Sequence, residues 1–178
     1  SCEFFNGKAH EKCIDEEGDY VVVNSKFISQ EGRVRKHTSS QLFPLFEDDL
    51  VMVMSDVPKG KALAKCYLIE KDDTYTLNQR ICAIRTERFH KRFLLHHLNR
   101  HPYLLAFDNK GSQANLRKID ILSCPLYMPS DEDQREIAAE IDAIHNDTRQ
   151  VEAIYAKKND CLDELKQSIL QKAFTGQL

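Results

Sequence analysis

The chain has 178 residues, a formal net charge of −3 and six cysteines. This length allows one domain of ordinary size with an appendage, and no apolar run approaches the roughly 20 residues that a membrane-crossing helix needs. The cysteines form no C-x-x-C pair or zinc-ligand spacing and no signal peptide precedes them, which predicts reduced thiols in a cytoplasmic protein.

The net charge hides an uneven distribution. Residues 130–178 carry 6 Lys and Arg against 11 Asp and Glu, whereas residues 1–129 have a net charge of +2. Within the first part, residues 33–37 and residues 80–101 are basic. Attraction of phosphate depends on the local electrostatic field more than on the total charge, so these basic segments are compatible with a nucleic-acid partner. The alternative is that they only form a solvated surface.

The first part of the chain has the pattern of a mixed α and β domain. Its first dozen residues look irregular, and short β-branched or alternating segments follow, separated by Gly, Pro, Asp and Asn. These segments predict strands at residues 20–23, 33–36, 50–54, 63–69 and 80–85. A strand at 33–36 would direct Val34 inward and Arg33 and Arg35 outward.

Three further segments complete this domain. Residues 87–99 place apolar side chains near one face and basic ones on others, which predicts a helix that Pro102 stops or bends. Residues 108–115 form a polar loop, and residues 119–128 predict a last strand with Pro125 at an edge or bulge. The fold class is therefore α+β, with a globular mixed α/β domain at residues 1–129.

Residues 130–178 predict one long amphipathic helix. Steps of four and three residues connect ten positions, which are apolar or aromatic except at Thr148 and Lys158. The apolar positions are Ile137, Ile141, Ile144, Val151, Tyr155, Leu162, Leu165 and Ile169. This pattern is a coiled-coil seam, which needs another helix along it. From residue 134 to residue 172 the helix would extend roughly 58 Å, further than the ~30 Å diameter expected for the remaining domain.

Both ends of this helix carry sequence signals, and the seam has one charged position. Ser130 with Asp133 forms a capping box, and Thr175-Gly176 suits the left-handed conformation that stops helices. Lys158 can extend its ammonium outward and would help to fix the partner and the register.

Several polar residues are candidates for contact with DNA. Arginine forms paired bonds to guanine, lysine and serine suit phosphate, and amides can pair with adenine. The predicted contact residues are Asn6, Lys8, His10, Arg33, Arg35, Lys36, Ser55, Lys59, Lys61, Gln79, Arg80 and Gln113. A solvated or structural role is the alternative for each, and a structural role is favoured for Asn78.

The sequence gives little support for a catalytic site or a metal-binding site. His97 and His101 are four residues apart, but no Cys, Asp or Glu completes a ligand set. The chain has no G-x-G-x-x-G segment, no P-loop and no carboxylate spacing typical of a nuclease. We therefore predict a protein that binds without catalysing a reaction.

A family resemblance links the loop, the last predicted strand and the start of the helix. Residues 109–141 read NKGSQANLRKIDILSCPLYMPSDEDQREIAAEI. This run resembles the end of a target-recognition domain in the specificity subunits of type I restriction–modification enzymes. The segments DDLVMVMSD and TLNQRICAIR resemble central strands of that family, and LKQSILQKAFTGQL resembles the end of its conserved helix. The loop lacks the usual threonine, and Tyr127-Met128-Pro129 replaces the usual paired prolines.

The resemblance implies a function for each part of the chain. Members of the family typically carry two recognition domains and two helices packed antiparallel, so this chain resembles half of a specificity subunit, natural or excised. Its domain would read one half of a split target in duplex DNA. Its helix, equal in length to about 17 base pairs, would pair with a counterpart and set the distance between half-sites.

The resemblance also implies partners. The coiled coil would dock DNA methyltransferase subunits and, through them, the restriction endonuclease subunit. S-adenosylmethionine, ATP and Mg²⁺ would belong to those subunits, and this chain would hold no cofactor. It would form a homodimer or join the second half of a specificity subunit. Two alternatives remain: a coiled-coil adaptor with a protein-binding domain, and the recognition fragment of a fused restriction–methylation enzyme.

Overall fold

The computed structural model describes residues 2–57, 60–108 and 113–176. The chain divides into two compact units, Ser1–Arg135 and Glu136–Leu178. The long helix begins at Asp131, within the first unit. The domain boundary expected at residues 129 and 130 stays a prediction.

The helices and strands follow one another in a mixed order. They are β1 (Cys2–Asn6), β2 (Tyr20–Val23), α1 (Ser25–Ser29), β3 (His37–Thr38), β4 (Leu50–Val53), β5 (Ser55–Asp56), β6 (Cys66–Leu68), β7 (Tyr75–Leu77), β8 (Ile81–Thr86), α2 (Lys91–Leu98), α3 (Pro102–Leu105), β9 (Ala114–Asn115), α4 (Lys118–Leu122) and α5 (Asp131–Phe174).

A four-stranded antiparallel sheet with the order β1-β8-β4-β6 lies at the centre of the first unit. Strand β4 is apolar and buried at every position, which is typical of a strand covered on both faces. Because side chains alternate between faces, Leu50 and Met52 enter one apolar core, while Val51 and Val53 enter another.

The two cores have different coverings. Leu94, Leu104 and Ile121 from helices α2, α3 and α4 contribute to the core that contains Leu50. The second core receives Val21 and Leu77 from a three-stranded sheet ordered β3-β2-β7, in which β2 and β7 run parallel. Helix α1 follows β2 directly and adds Phe27 and Ile28 to this second core.

Several sequence expectations are confirmed. Strand β2 has the predicted bounds, β4 ends one residue earlier than predicted, and β8 begins and ends one residue later than predicted. Helix α5 has 44 residues, about 66 Å at ~1.5 Å per residue. The Ser130 hydroxyl accepts a hydrogen bond from the Asp133 N–H at 3.2 Å, as expected of a cap. Gly176 has φ of 71°, so the left-handed conformation follows the last helical turn.

The strand predicted at residues 33–36 is wrong. Helix α1 ends in a turn where Glu31 and Gly32 have positive φ angles and the Arg33 N–H donates to the Gln30 carbonyl oxygen. This turn prevents the extended pairing that alternation suggested, and Val34 is 37% exposed instead of pointing inward. Pairing begins only at His37, where β3 starts.

The last predicted strand is also wrong. Residues 118–122 form helix α4, since the Asp120 carboxylate accepts from the Arg117 N–H at 2.8 Å and the Arg117 side chain bonds back to it. This arrangement is a local cap that favours a helical turn over a strand. The Arg117 guanidinium also holds the pKa of Asp120 below its usual value.

The remaining differences concern element bounds. The first residues are not irregular, because β1 pairs with β8 along its full length. Within residues 63–69 only Cys66–Leu68 is a strand, and helix α2 begins at Lys91, four residues later than expected. Pro102 begins the separate helix α3, since proline suits a first helical position.

A buried ion pair joins β8 to the turn before β4. Asp49 is 2% exposed, and its carboxylate accepts from Arg85 Nε at 2.5 Å and Nη2 at 2.8 Å. The guanidinium lies 4.7 Å from the ring centroids of both Phe5 and Phe46. These contacts hold β1, β8 and the residues before β4 together.

Candidate nucleic-acid interface

A basic groove lies on the described part of the first unit. It has a volume of about 530 Å³. Its lining residues are Asn24, Ser25, Lys26, Val34, Arg35, Lys36, Asn78 and Arg80. Four of these side chains are cations, and none of the described lining residues is acidic. We call this feature the basic groove.

Strand β2 brings the lining segments together. The Val22 N–H donates to the Lys36 carbonyl oxygen at 2.8 Å, and the Asn78 N–H donates to the Val23 carbonyl oxygen at 3.2 Å. Because β7 runs parallel to β2, the residues that follow both strands meet at the same edge of the sheet. The predicted contact residues Arg35, Lys36 and Arg80 are therefore neighbours in space.

Lys8 lies beside Asn78, one of the residues that line the groove. Lys8 and Asn78 form an isolated parallel β-bridge, and the Lys8 N–H donates to the Leu77 carbonyl oxygen at 3.0 Å. The chain passes so closely that a Cβ added to Gly7 would overlap the Asn78 carbonyl oxygen. Glycine is thus required for the approach that places exposed Lys8 next to Asn78.

Three lining residues near α1 were missed by the sequence analysis: Asn24, Ser25 and Lys26. Asn24 caps α1 by accepting from the Phe27 N–H at 2.9 Å, and Lys26 lies exposed in its first turn. The signal that could have identified them was the asparagine three residues before the apolar pair Phe27 and Ile28. Asn78 likewise lines the groove, although its side chain also accepts from the Arg80 N–H.

His10 does not belong to the proposed surface. Its ring is fully buried, with Nδ1 2.7 Å from the Lys8 carbonyl oxygen and Nε2 2.9 Å from Thr76 Oγ1. A residue buried in this way cannot contact a base, so the expectation of DNA contact is corrected. Its position between Lys8 and Thr76 shows that it braces the loop that carries Lys8.

We expect His10 to make stability depend on pH. Burial lowers the pKa of His10 below 6.5. As the pH falls below about 6.5, the unfolded chain takes up a proton that the folded ring does not, so the free energy of unfolding decreases. His10→Gln should be about 1–2 kcal/mol less stable at pH 7.5 and lose less stability between pH 7.5 and 5.5.

Urea titrations at the two pH values measure this difference. The free energy of unfolding of the variant should still depend partly on pH, because burial also lowers the pKa of His97. An equal loss in both proteins between the two pH values would contradict the role of His10.

Other predicted contact residues lie outside the groove lining. Ser55 is nearly buried, and its hydroxyl oxygen accepts from Gln113 Nε2 at 2.6 Å, which braces the short β5–β9 pair. Ser55 is therefore corrected to a structural position, with exposed Gln113 as its partner. Lys61 is exposed, and its carbonyl oxygen accepts from Arg100 at 2.9 Å. Lys59 lies outside the described residues.

Three more of these residues are exposed but have neighbours of their own. Asn6 ends β1 opposite Cys82, and Gln79 Nε2 donates to a carboxylate oxygen of Glu11 at 3.0 Å. Arg33 pairs with Glu31 at 3.5 Å and does not line the basic groove. DNA contact by these residues stays a prediction.

The described residues contain no group of three or more His, Cys, Asp or Glu arranged to hold a metal. The His97 and His101 ring centroids are 5.8 Å apart, and Phe93 packs against His97. All six cysteines are free, and burial raises the pKa of the Cys82 thiol to about 12. Among the described helices, none is both long and apolar enough to cross a membrane.

Helix α5 presents a second candidate surface. The predicted dimerisation residues all lie on this one helix, and Ile141 is the half-buried member of the set. The others are exposed: Ile137, Ile144, Val151, Tyr155, Leu162, Leu165 and Ile169. Leu162 is 63% exposed, although burial of a leucine is worth about 1.5–3 kcal/mol. An exposed apolar stripe made of these residues is typical of an interaction surface.

Solved structures share this fold. One, described as the structural basis underlying complex assembly and conformational transition of the type I R-M system, superposes with a TM-score of 0.78 at 19% identity, over 99% of this chain and 44% of that chain. The HsdS subunit from Thermoanaerobacter tengcongensis superposes with a TM-score of 0.65 at 20% identity, over 99% of this chain and 43% of that chain. The type I restriction–modification S subunit from M. genitalium superposes with a TM-score of 0.59 at 17% identity, over 82% of this chain and 37% of that chain.

These likenesses confirm the α+β fold with a long carboxyl-terminal helix. The chain spans less than half the length of each of the three structures. No curated protein sequence matches it. A family profile described as "Type I restriction modification DNA specificity domain" matches residues 2–159. The chain therefore belongs to the type I restriction–modification DNA specificity domain family, as its loop, strand and helix motifs indicated.

Proposed function

We propose that this chain recognises one half of a split target in duplex DNA and catalyses no reaction itself. The observation that carries the proposal is the basic groove, where three segments of the chain meet. Lys26, Arg35, Lys36 and Arg80 line it, and Lys8 stands beside it. Membership of the family supports DNA as the partner.

The groove has the chemistry that DNA binding requires. Its lysines can neutralise phosphates, which supplies most of the sequence-independent affinity. Arg35 uses one N–H to donate to the Gly32 carbonyl oxygen, at 3.0 Å, so its position is fixed while other donors remain on the guanidinium. A guanidinium held in this way suits paired bonds to guanine O6 and N7.

We further propose that α5 pairs with a second copy of the chain and sets the distance between two recognition domains. Its length of about 66 Å corresponds to about 19 base pairs at ~3.4 Å each. The exposed seam supports this pairing. DNA methyltransferase subunits would dock on the paired helices and bring S-adenosylmethionine. The restriction endonuclease subunit would join through them, with ATP and Mg²⁺.

Substitutions in the basic groove test the proposed DNA interface. Arg35→Ala and Lys36→Ala should each weaken binding to a mixed-sequence 30-base-pair duplex about tenfold at low salt, because each removes a side chain that binds a phosphate or a base. The slope of log affinity against log salt should become shallower by about 0.9 for each phosphate that the variant no longer neutralises. Fluorescence anisotropy at several salt concentrations measures both quantities.

Lys71→Ala provides a control of equal charge. Lys71 is exposed but does not line the groove. The affinity of the Lys71→Ala variant for the duplex, and the slope of that affinity against salt, should therefore stay close to those of the unmodified chain. If Arg35→Ala and Lys36→Ala behave like Lys71→Ala, the groove is not the DNA interface.

A further inference from the structure

Four charged side chains set the hydrogen-bonding character of the basic groove. Each carries donors and no acceptor at its end, and they belong to Lys26, Arg35, Lys36 and Arg80. Arg35 directs Nε at the Gly32 carbonyl oxygen, 3.0 Å away, and its remaining N–H donors belong to the two terminal nitrogens. These side chains can therefore bond to acceptors on a ligand, but they cannot bond to donors.

The two asparagines that line the groove also present donors. The Asn24 side-chain oxygen accepts from the Phe27 N–H at 2.9 Å, and the Asn78 side-chain oxygen accepts from the Arg80 N–H at 3.3 Å. Because a backbone N–H can only donate, these bonds fix which end of each amide is the oxygen. The nitrogen of each amide is the end that remains for a ligand, and it carries only donors.

The backbone oxygens of the lining residues are largely occupied inside the protein. The Lys36 carbonyl oxygen accepts from the Val22 N–H at 2.8 Å, and the Arg80 carbonyl oxygen accepts from the Met54 N–H at 3.0 Å. The carbonyl oxygens of three further lining residues also accept from backbone N–H groups: Asn24, Lys26 and Asn78. The groove thus offers a ligand mainly donors, while the Ser25 hydroxyl can act in either sense.

We propose that the basic groove reads adjacent guanines on one strand, through the major groove of duplex DNA. This inference rests on the proposed function and adds the base that is recognised. Guanine shows the acceptors O6 and N7 in the major groove and no donor, so neighbouring guanines form a continuous row of acceptors. Adenine and cytosine each show an amino group there, which would face the donors of the protein.

Adenine is disfavoured for a second reason. Asparagine recognises adenine through paired bonds, in which its oxygen accepts from N6 and its nitrogen donates to N7. In Asn24 and Asn78 the oxygen faces a backbone N–H of the protein instead. An amide held in this way does not turn both of its ends to one adenine, whereas its nitrogen can still donate to guanine O6 or N7.

Phosphates and the minor groove of A·T pairs also present acceptors to a protein. Phosphate contacts add affinity but carry no sequence information, so they accompany the reading of guanine without replacing it. The lining comes from three segments of the chain, residues 24–26, 34–36 and 78–80. Side chains from three segments fit a major groove about 12 Å wide better than a minor groove about 6 Å wide.

Modified guanines test which base edge is read. Duplexes selected on this chain from a random library should contain adjacent guanines on one strand. In 7-deazaguanine a carbon replaces N7, so each such substitution in the selected duplex should weaken binding about tenfold. Inosine keeps O6 and N7 but lacks the minor-groove amino group, so it should change the affinity less than about twofold. Fluorescence anisotropy measures each affinity.

Substitution of the arginines connects the base edge to the groove. If a terminal nitrogen of Arg35 donates to one N7, Arg35→Ala should lose the 7-deazaguanine effect at that guanine and keep it at the neighbouring one. Arg80→Ala is tested in the same way. Lys71→Ala, outside the groove, should keep the effect at every guanine. If both arginine variants also keep it at every guanine, these side chains do not read the bases and the inference is wrong.

Asn24→Asp replaces a donor by an acceptor and leaves the shape of the side chain unchanged. Aspartate can still cap α1, so the fold should persist. The new oxygen would face the guanine acceptors, and affinity for the selected duplex should fall about tenfold.

Asn99→Asp is the matched control for this change. The Asn99 oxygen likewise accepts from a backbone N–H, that of Cys66 at 3.0 Å, but Asn99 does not line the groove. Its affinity for the selected duplex should change less than about twofold, because an exposed charge away from the interface is screened. Equal losses in Asn24→Asp and Asn99→Asp would show an effect of net charge alone and would contradict the inference.

Three results of the modified-base experiment would overturn the reading of guanine and leave the proposed function standing. They are a selection that yields no adjacent guanines, an affinity that 7-deazaguanine leaves unchanged, and a larger effect of inosine, which would indicate the minor groove. A chain that binds no duplex even at low salt would instead contradict the proposed function together with this inference.

Discussion

Leu162→Asp is expected to convert the proposed dimer of this chain into monomers. Leu162 lies at a seam position of α5, and in the proposed pairing each dimer contains two copies of the substitution. Aspartate would bury a carboxylate without a partner on each side, which costs several kcal/mol per site. We expect the dissociation constant to rise at least about a thousandfold, which sedimentation equilibrium can measure.

Ala153→Asp is the matched control for this experiment. It adds the same charge and a similar loss of helix propensity, but it lies at an exposed position outside the seam. Its dimer should stay within about threefold of the unmodified affinity. If Leu162→Asp also dimerises at that level, the seam does not hold the two copies together.

Asp49→Asn is expected to lower the free energy of unfolding by about 3 kcal/mol. The substitution removes the charge that Arg85 contacts through two nitrogens, so the guanidinium between Phe5 and Phe46 loses the carboxylate that pairs with it. Breaking a buried ion pair costs about 3–5 kcal/mol. We take the lower figure because the Arg85 side chain is 29% exposed.

Urea unfolding followed by near-ultraviolet circular dichroism of the core tyrosines can measure this loss. Asp48→Asn is the matched control, because Asp48 is exposed, has φ of 65° and occupies a conformation that asparagine tolerates. Its stability should change by less than about 0.5 kcal/mol. A similar effect of both substitutions would show that the ion pair contributes little.

The sequence predicted the elements that have a strong local pattern of apolar residues. Helix α5 and strand β4 are of this kind, since a seam repeat and a continuous apolar run are both local signals. Residues 33–36 and 119–128 failed for a different reason. Their backbone follows local bonds at Gly32 and Asp120, and these bonds outweigh the β-like pattern of the side chains.

The site was predictable only in part. Arg35, Lys36 and Arg80 were identified from charge and side-chain chemistry, but nothing in their spacing showed that they meet. Their proximity depends on the parallel pairing of β2 and β7, which is a long-range contact. His10 was misassigned for the same reason, since its partner Thr76 lies 66 residues away.

None of the residues that line the basic groove belongs to either apolar core. They occupy the connections that follow β2 and β7, and most are exposed. Substitution there leaves the central sheet and both apolar cores untouched. Under the proposed function, related chains can therefore change the DNA sequence that they recognise while the packing of the core stays the same.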